Sequence, residues 1–213
     1  MRTNPNRRRK WARGGWTPPG TPWAWWYGNA TEDDGKWTDR SGNGRHATFF
    51  GSPSLSINGL TLDGSAYAYL AAGPVTLTGF TMACWVRLTA AGGLQGIMGN
   101  WIGGQSDYAL IAINSTLLAA YNNTQSNTLI AFTSGVWVHI AVRWTGDVVI
   151  GYVNTTPNTP VSLETAAENP PKFGIGWAYW VLTGDITDAI VYDTDIGADG
   201  IANIYAQSTG KPT

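Results

Sequence analysis

The chain is predicted to be all-β, a two-sheet antiparallel jelly-roll sandwich carrying an extended basic, Trp/Pro-rich N-terminal arm. Three observations lead there. From Val136 to Asn154 the sequence reads VWVHIAVRW, a Thr145-Gly146 turn, then DVVIGYVN. Val136, Val138, Ile140, Val142 and Trp144 alternate with Trp137, His139, Ala141 and Arg143 in the period of two that a strand requires, so the stretch predicts a central antiparallel hairpin. Only 13% of the 213 residues are charged, against about a quarter in typical domains, while Gly, Thr, Asn and Ala abound. Such a composition favours short strands and tight turns over amphipathic helices.

The remaining elements follow in order. Arg2, Arg7, Arg8, Arg9, Lys10 and Arg13 are six of thirteen basic residues, leaving seven against fourteen acidic ones and a net charge of −7 from residue 14 onward. The amino terminus is therefore a basic arm. Six of the twelve tryptophans fall between Trp11 and Trp37, interleaved with Pro18, Pro19, Pro22 and glycines, a pattern expected to exclude a regular helix or a central strand. So much aromatic surface should lie against something, either this chain's own domain or a partner. The reading favours a partner, with Arg7, Arg8, Arg9, Lys10, Trp11, Arg13, Trp16, Trp23, Trp25 and Trp26 as anchors. The boundary is placed after residue 36, so that removing 1–36 should leave a folded domain at 37–213.

Asp39-Arg40-Ser41-Gly42-Asn43-Gly44 predicts a tight turn in which Asp39 bonds the backbone that follows. LSINGLTLDG (55–64) and AYAYL (66–70) read as short strands about a glycine turn. FTMACWVRL (80–88), GIMGNW (96–101), DYALIAI (107–113), TLLAAYNN (116–123), TLIAF (128–132), FGIGW (173–177) and GDITDAIVYD (184–193) supply further strands, and a short helical turn is expected around Ile201 to Tyr205. The order of Asp39-x-Ser41-Gly42-Asn43-Gly44, Leu60-x-Leu62-Asp63-Gly64, FTMACWVRL, Trp137-x-His139-x-Ala141, GYVN (151–154), FGIGW and GDITDAIVYD resembles laminin-G-like jelly rolls, the concanavalin A-like lectin and glucanase group. The resemblance covers roughly residues 37 to 207. It implies two face-to-face sheets, one concave, in a family that includes both sugar binders and hydrolases.

Catalysis is not expected. Retaining hydrolysis by related glucanases needs a dense Glu-x-Asp-x-x-Glu strand, and none is present. Glu164 and Glu168 read as a solvated loop, Asp185 and Asp188 as turn and structural groups, His139 as a buried imidazole and Cys84 as an inert core thiol. No GxSxG elbow occurs. One cysteine excludes an internal disulfide, and His46 and His139 are too few for a zinc cluster. Asp39, Asp63 and Asp188 are the oxygens a calcium site could draw on, although nothing resembles an EF-hand loop, and no cofactor is expected. No secretory signal or membrane-spanning run is read.

Binding is the alternative. Asn100, Trp101, Asp107, Tyr108, Tyr121, Asn122, Asn123, Trp177, Tyr179 and Trp180 combine rings for stacking with amides and a carboxylate for sugar hydroxyls, and the GWAYW loop is the strongest of these. Nucleic acid is disfavoured, because the acidic remainder of the chain would repel it despite RRRKWAR. The composition as a whole is similar to that of bacteriophage virion proteins. That implies a homo-oligomeric capsid decoration or a tail or fibre component on the surface of the particle, with its arm docked on a major capsid or tail protein. The alternatives are a free-standing carbohydrate-binding module and, less favoured, a diverged glycoside hydrolase.

Overall fold

The computed structural model describes residues 18–32, 34–73, 79–89, 93–101, 109–113, 116–121, 125–146, 148–162, 172–177 and 180–208, with the side chains of 29–30, 101, 109–113, 116–121 and 125–128 left out. The strands are β1 (Ala24–Thr31), β2 (Trp37–Asp39), β3 (Thr48–Phe50), β4 (Ser54–Ser56), β5 (Gly59–Asp63), β6 (Tyr67–Leu70), β7 (Phe80–Leu88), β8 (Leu94–Trp101) and β9 (Ala109–Ile113). There follow β10 (Thr116–Tyr121), β11 (Gln125–Ala131), β12 (Val138–Thr145), β13 (Val148–Val153), β14 (Thr156–Pro157), β15 (Val161–Ser162), β16 (Lys172–Ile175), β17 (Thr183–Tyr192) and, among the described residues, one helix, α1 (Gly197–Gln207). They form two antiparallel sheets, as the alternating pattern requires. Sheet A runs β14-β13-β12-β7-β17-β1-β2, with β15 on β13 and β5 and β4 continuing from β17. Sheet B runs β11-β10-β9-β8-β16-β6-β3.

The predicted hairpin is β12 and β13, joined in the register Ile140↔Val153 to Thr145↔Val148. On its inner face Val138, Ile140, Val142 and Trp144 meet Phe80, Met82, Cys84 and Val86 of β7 in the core between the sheets. The outer face is buried as well, because Ile201 and Ile204 of α1 pack on Ala83, Ala141, Ile190 and Tyr192. Burial on both faces explains why β7 and β17 are buried at nearly every position, Thr81, Thr187 and Asp188 included. Polar contacts fix the helix: Trp85 Nε1 donates to Ser208 Oγ at 2.7 Å, and Arg143 grips Asp195 just before α1 through both Nε and Nη2.

His139 lies under this helix. It is fully buried against the rings of Trp85 and Tyr205, which themselves stack at 5.6 Å, and its Nε2 has no hydrogen-bond partner. Burial lowers its pKa to about 4, against a weak opposing bond to the Asn154 carbonyl. Above pH 6.5 the folded and unfolded chains are both neutral here. Between 6.5 and 4 only the unfolded chain takes up the proton, so stability falls as pH falls, by roughly 3 kcal/mol at full effect. Urea titrations from pH 7 to pH 4 should show this component in the wild type and lose it in His139→Gln; equal slopes in both would assign it elsewhere.

One expectation is overturned. The Trp-rich segment was expected to exclude a central strand, yet β1 lies between β17 and β2, with Ala24↔Val191, Trp25↔Ile190 and Trp26↔Ala189 in register. The reason is positional: the prolines stop at Pro22, so nothing interrupts the ladder from Ala24, and Gly28 at φ 63 absorbs the bulge. Trp25 and Trp26 are therefore buried in this chain's own fold and are not partner anchors, while Trp23 is only partly covered. Trp26 is fully buried and stacks on Phe173 at 6.3 Å, Trp25 lies on the α1 side of sheet A, and Trp23 packs at the edge of the core. Buried indoles need acceptors. Trp26 Nε1 donates to the Arg45 carbonyl at 2.9 Å and Trp37 Nε1 to that of Gly28 at 3.0 Å.

The predicted turn after Asp39 clamps the start of this strand. Asp39 Oδ1 accepts from the Trp25 and Ser41 amides, and its Oδ2 from Ser41 Oγ and the Arg45 amide. Asn43 Nδ2 donates to the carbonyls of Pro22 and Trp23, and the Arg45 guanidinium lies 4.4 Å from the Trp23 ring centroid. The other expected anchors, Arg7, Arg8, Arg9, Lys10, Trp11, Arg13 and Trp16, lie outside the described residues.

Candidate functional site

Helix α1 covers part of the outer face of sheet A, whereas the outer face of sheet B carries a row of aromatic rings. Alternation along β6 turns Ala68 and Leu70 into the core and leaves Tyr67 and Tyr69 half-buried on the other side. Antiparallel pairing with β3 sets Phe50 opposite Tyr67 and Thr48 opposite Tyr69. The cross-strand rings stack: Phe50 and Tyr67 lie 4.7 Å apart at 17°, and Tyr67 and Trp177 lie 4.7 Å apart at 15°. Phe50 keeps 54% of its surface exposed. Tyr69 tilts against Tyr67 at 6.0 Å, and the Lys172 ammonium is 5.9 Å from the Tyr69 ring.

Trp177 joins the row because of two glycines. Gly174 stands opposite Tyr69 on β16, and a Cβ there would strike the backbone oxygen of Trp177 and come within 3.0 Å of its indole Cε3. Only a bare backbone lets the loop fold down onto the sheet. Gly176 then turns at φ 73, with its amide donating to the Ile97 carbonyl at 2.7 Å and its carbonyl accepting from Leu182 at 2.9 Å. Burial, and then the neighbouring Tyr69, pushes the Tyr67 phenol above its ordinary range, so it remains a neutral hydroxyl at physiological pH. Apolar ring surface beside phenolic hydroxyls and an ammonium suits a polyol that has one apolar face. The stack itself carries no carboxylate.

The residues singled out from the sequence are distributed differently from expectation. Trp177 belongs to the stack, and Trp180 ends the same loop, its carbonyl accepting from the Gly96 amide at 3.0 Å. Asn100 is a correction. It is paired with Phe173 and points into the sandwich with no exposed surface, its side-chain amide without a hydrogen-bond partner, so it contacts no external ligand here. Trp101 lies in β8 opposite Lys172 and Tyr121 lies in β10, while Asp107, Tyr108, Asn122, Asn123 and Tyr179 lie outside the described residues. Phe50, Tyr67, Tyr69 and Lys172 were missed. The signal was the alternation in AYAYL, which gives a strand but not its cross-strand neighbours.

The acidic candidates are held by the fold. Asp185 Oδ2 takes both Nε and Nη2 of Arg87, and its Oδ1 accepts from Thr61 Oγ1 at 2.6 Å. Asp188 sits at φ 47 in a bulge of β17, and Glu164 and Glu168 lie outside the described residues. Asp63 accepts from the Ser65 and Ala66 amides. Among the described residues no three His, Cys, Asp or Glu side chains group to hold a metal, so Asp39, Asp63 and Asp188 do not converge on a calcium ion. No helix among them is long and apolar enough to cross a membrane.

Comparison with solved structures finds the same fold. The binding domain of botulinum neurotoxin DC in complex with SialylT superposes with a TM-score of 0.69 at 11% identity, over 89% of this chain and 52% of that one. A botulinum neurotoxin type C structure, described as dependent on two ganglioside molecules for cell entry, gives a TM-score of 0.68 at 10% identity, over 87% and 51%. Trypanosoma rangeli sialidase with 2,3-difluorosialic acid gives 0.73 at 14% identity, over 92% and 34%. The chain thus spans about half the length of the toxin chains and about a third of the sialidase. No curated protein matches it in sequence. A family model, that of the concanavalin A-like lectin/glucanases superfamily, matches residues 62–202, and the chain belongs to that superfamily.

Proposed function

We propose that the chain is a non-catalytic carbohydrate-binding module, with the Phe50, Tyr67 and Trp177 stack on sheet B as its receptor face. The observation that carries this is a ring stack ending on a half-exposed Phe50, held by strand register and by Gly174. A solvent-facing stack that closes no core costs solubility unless a ligand covers it. The absence of catalysis is part of the same reading, supported by Asp185, whose carboxylate is committed to Arg87 and Thr61. A glycan array tests it. Phe50→Ala and Trp177→Ala should each weaken the recognised glycan about tenfold, the worth of one stacking contact. No glycan bound at all, or two variants that bind like the wild type, would overturn it.

The module is further proposed to be displayed on a virus particle, as a capsid decoration or a tail or fibre component of a bacteriophage. Support comes from charge: six basic residues in the first thirteen precede a remainder of net charge −7, which separates a cationic tether from the body that displays the ligand face. Arg-rich arms suit carboxylate-bearing protein surfaces such as those of a capsid or tail subunit. Mass spectrometry of the particle should find the chain in stoichiometric amounts. A well-behaved monomer present in no particle would leave the free-standing module.

A further inference from the structure

Helix α1 joins an apolar cluster on the outer face of sheet A, with Ala83, Ala141, Ile190 and Tyr192, that is distinct from the core between the sheets. Its entry is pinned by polar groups: Arg143 holds Asp195, and Thr81 Oγ1 donates to the Thr194 carbonyl at 3.0 Å. Its far end rests on rings. Tyr205 stacks on Trp85 and meets the His139 ring edge-on at 5.7 Å, and Trp85 Nε1 donates to Ser208 Oγ. Eleven residues are too few for a helix to hold itself in water, Ile196 at the N-cap offers no side-chain acceptor, and no basic residue stands in the last turn. The helix therefore depends on this packing. We propose that α1 is an acid-released cover: protonation of His139 frees its C-terminal half, which swings about residues 194–196 while both sheets stay closed.

The surroundings of His139 make it the trigger. With the Nδ1 proton turned to the Asn154 carbonyl at 3.4 Å, Nε2 is the atom that takes a second proton, and no described residue accepts from it. The groups facing the ring are Trp85 from β7, Tyr205 from α1 and Asn154 from the turn after β13, none of them a carboxylate that could pair with an imidazolium. Along the neighbouring strands Arg87 and Arg143 are paired with Asp185 and Asp195, and the one charged residue of α1, Asp199, lies in its first turn. Closed, the site disfavours the cation and the imidazole titrates at about 4; open, it meets water and regains an ordinary value near 6.5. Between those values only the open form takes up the proton, so opening grows as pH falls, about twentyfold from pH 7 to pH 5. The hinge keeps its charge over that range. Burial would raise the Asp195 carboxyl, but hydrogen bonds from Arg143 and the Gly197 amide outweigh it and hold the group below its ordinary range. Release would bare Ala83, Ala141, Ile190 and Tyr192, an apolar surface that the closed form hides.

Hydrogen exchange of the full chain at pH 7 and pH 5, corrected for the intrinsic effect of pH and repeated in low urea, tests the cover. Amides of residues 201–207 should exchange faster than those of β7 and β17 at both pH values and gain about twentyfold at pH 5. Low urea should leave them unchanged, because a local opening exposes little surface, while it speeds the strand amides. His139→Gln should flatten the gain at pH 5. Helix amides that exchange only as fast as the strands, no gain at pH 5, or a gain that survives His139→Gln would overturn the proposal. Should His139→Gln fail to fold, the contrast between helix and strands in the wild type decides alone.

Discussion

Deleting residues 1–36 is expected to unfold the domain, whereas deleting residues 1–17 leaves it folded. The longer cut removes β1, and with it the ladder to β17 and the buried Trp25 and Trp26. Loss of one buried Trp side chain costs about 3–5 kcal/mol, and loss of a strand between two others strips partners from both. Against a typical total of about 5–15 kcal/mol, the deficit exceeds what a domain can absorb. The shorter cut stops before the first described residue of this segment, Pro18, and spares the Asn43 and Arg45 contacts to Pro22 and Trp23. Thermal melts by circular dichroism decide it: one cooperative transition for the chain lacking 1–17, and none for the chain lacking 1–36. A cooperative, native-like melt of the longer deletion would mean that sheet A closes without β1. For an assembly test the consequence is practical, since only the shorter deletion removes the tether without removing the module.

Asp39→Ala should be the most damaging single substitution of a polar side chain. The carboxylate is 6% exposed and accepts four hydrogen bonds, from the Trp25, Ser41 and Arg45 amides and from Ser41 Oγ. Its removal leaves buried amide donors unsatisfied at the point where β1 enters the sheet, costing about 3–5 kcal/mol by the usual penalty per orphaned group. In a chain of this length that lowers Tm by roughly 10 °C. Urea midpoints should fall with the slope unchanged, because the denatured state is the same. Asp34→Ala is the control. Its ion pair with Lys36 is open to solvent on both sides, so the midpoint should not move. Comparable shifts in the two variants would show that the Asp39 network does not hold β1.

These two cases mark what the residues disclose in advance. The β12 and β13 hairpin, β7 and β17 were legible because one face of each strand is apolar and the period of two survives even where α1 buries the other face. Strand β1 was hidden by its surroundings: prolines up to Pro22 suggested an irregular segment, but a ladder needs only the residues within it to be free of proline. The ring stack was hidden for another reason. Phe50, Tyr67 and Trp177 are far apart in the chain, and their contact depends on strand register and on the space left at Gly174, neither of which periodicity encodes. Asn100 misled because an amide next to an aromatic residue, here Trp101, carries no mark of which face it occupies; its pairing with Phe173 decides that.

Cys84 gives the molecule a built-in clock. It is the chain's single cysteine, it sits in the middle of β7 with no exposed surface, and burial raises the pKa of its thiol well above the ordinary range. A thiol reagent reaches it only when the sheets part, so the labelling rate under native conditions reads the frequency of whole-sandwich opening directly. By the same logic, a cysteine introduced at an exposed position such as Ile57 would be the one site labelled in the folded protein.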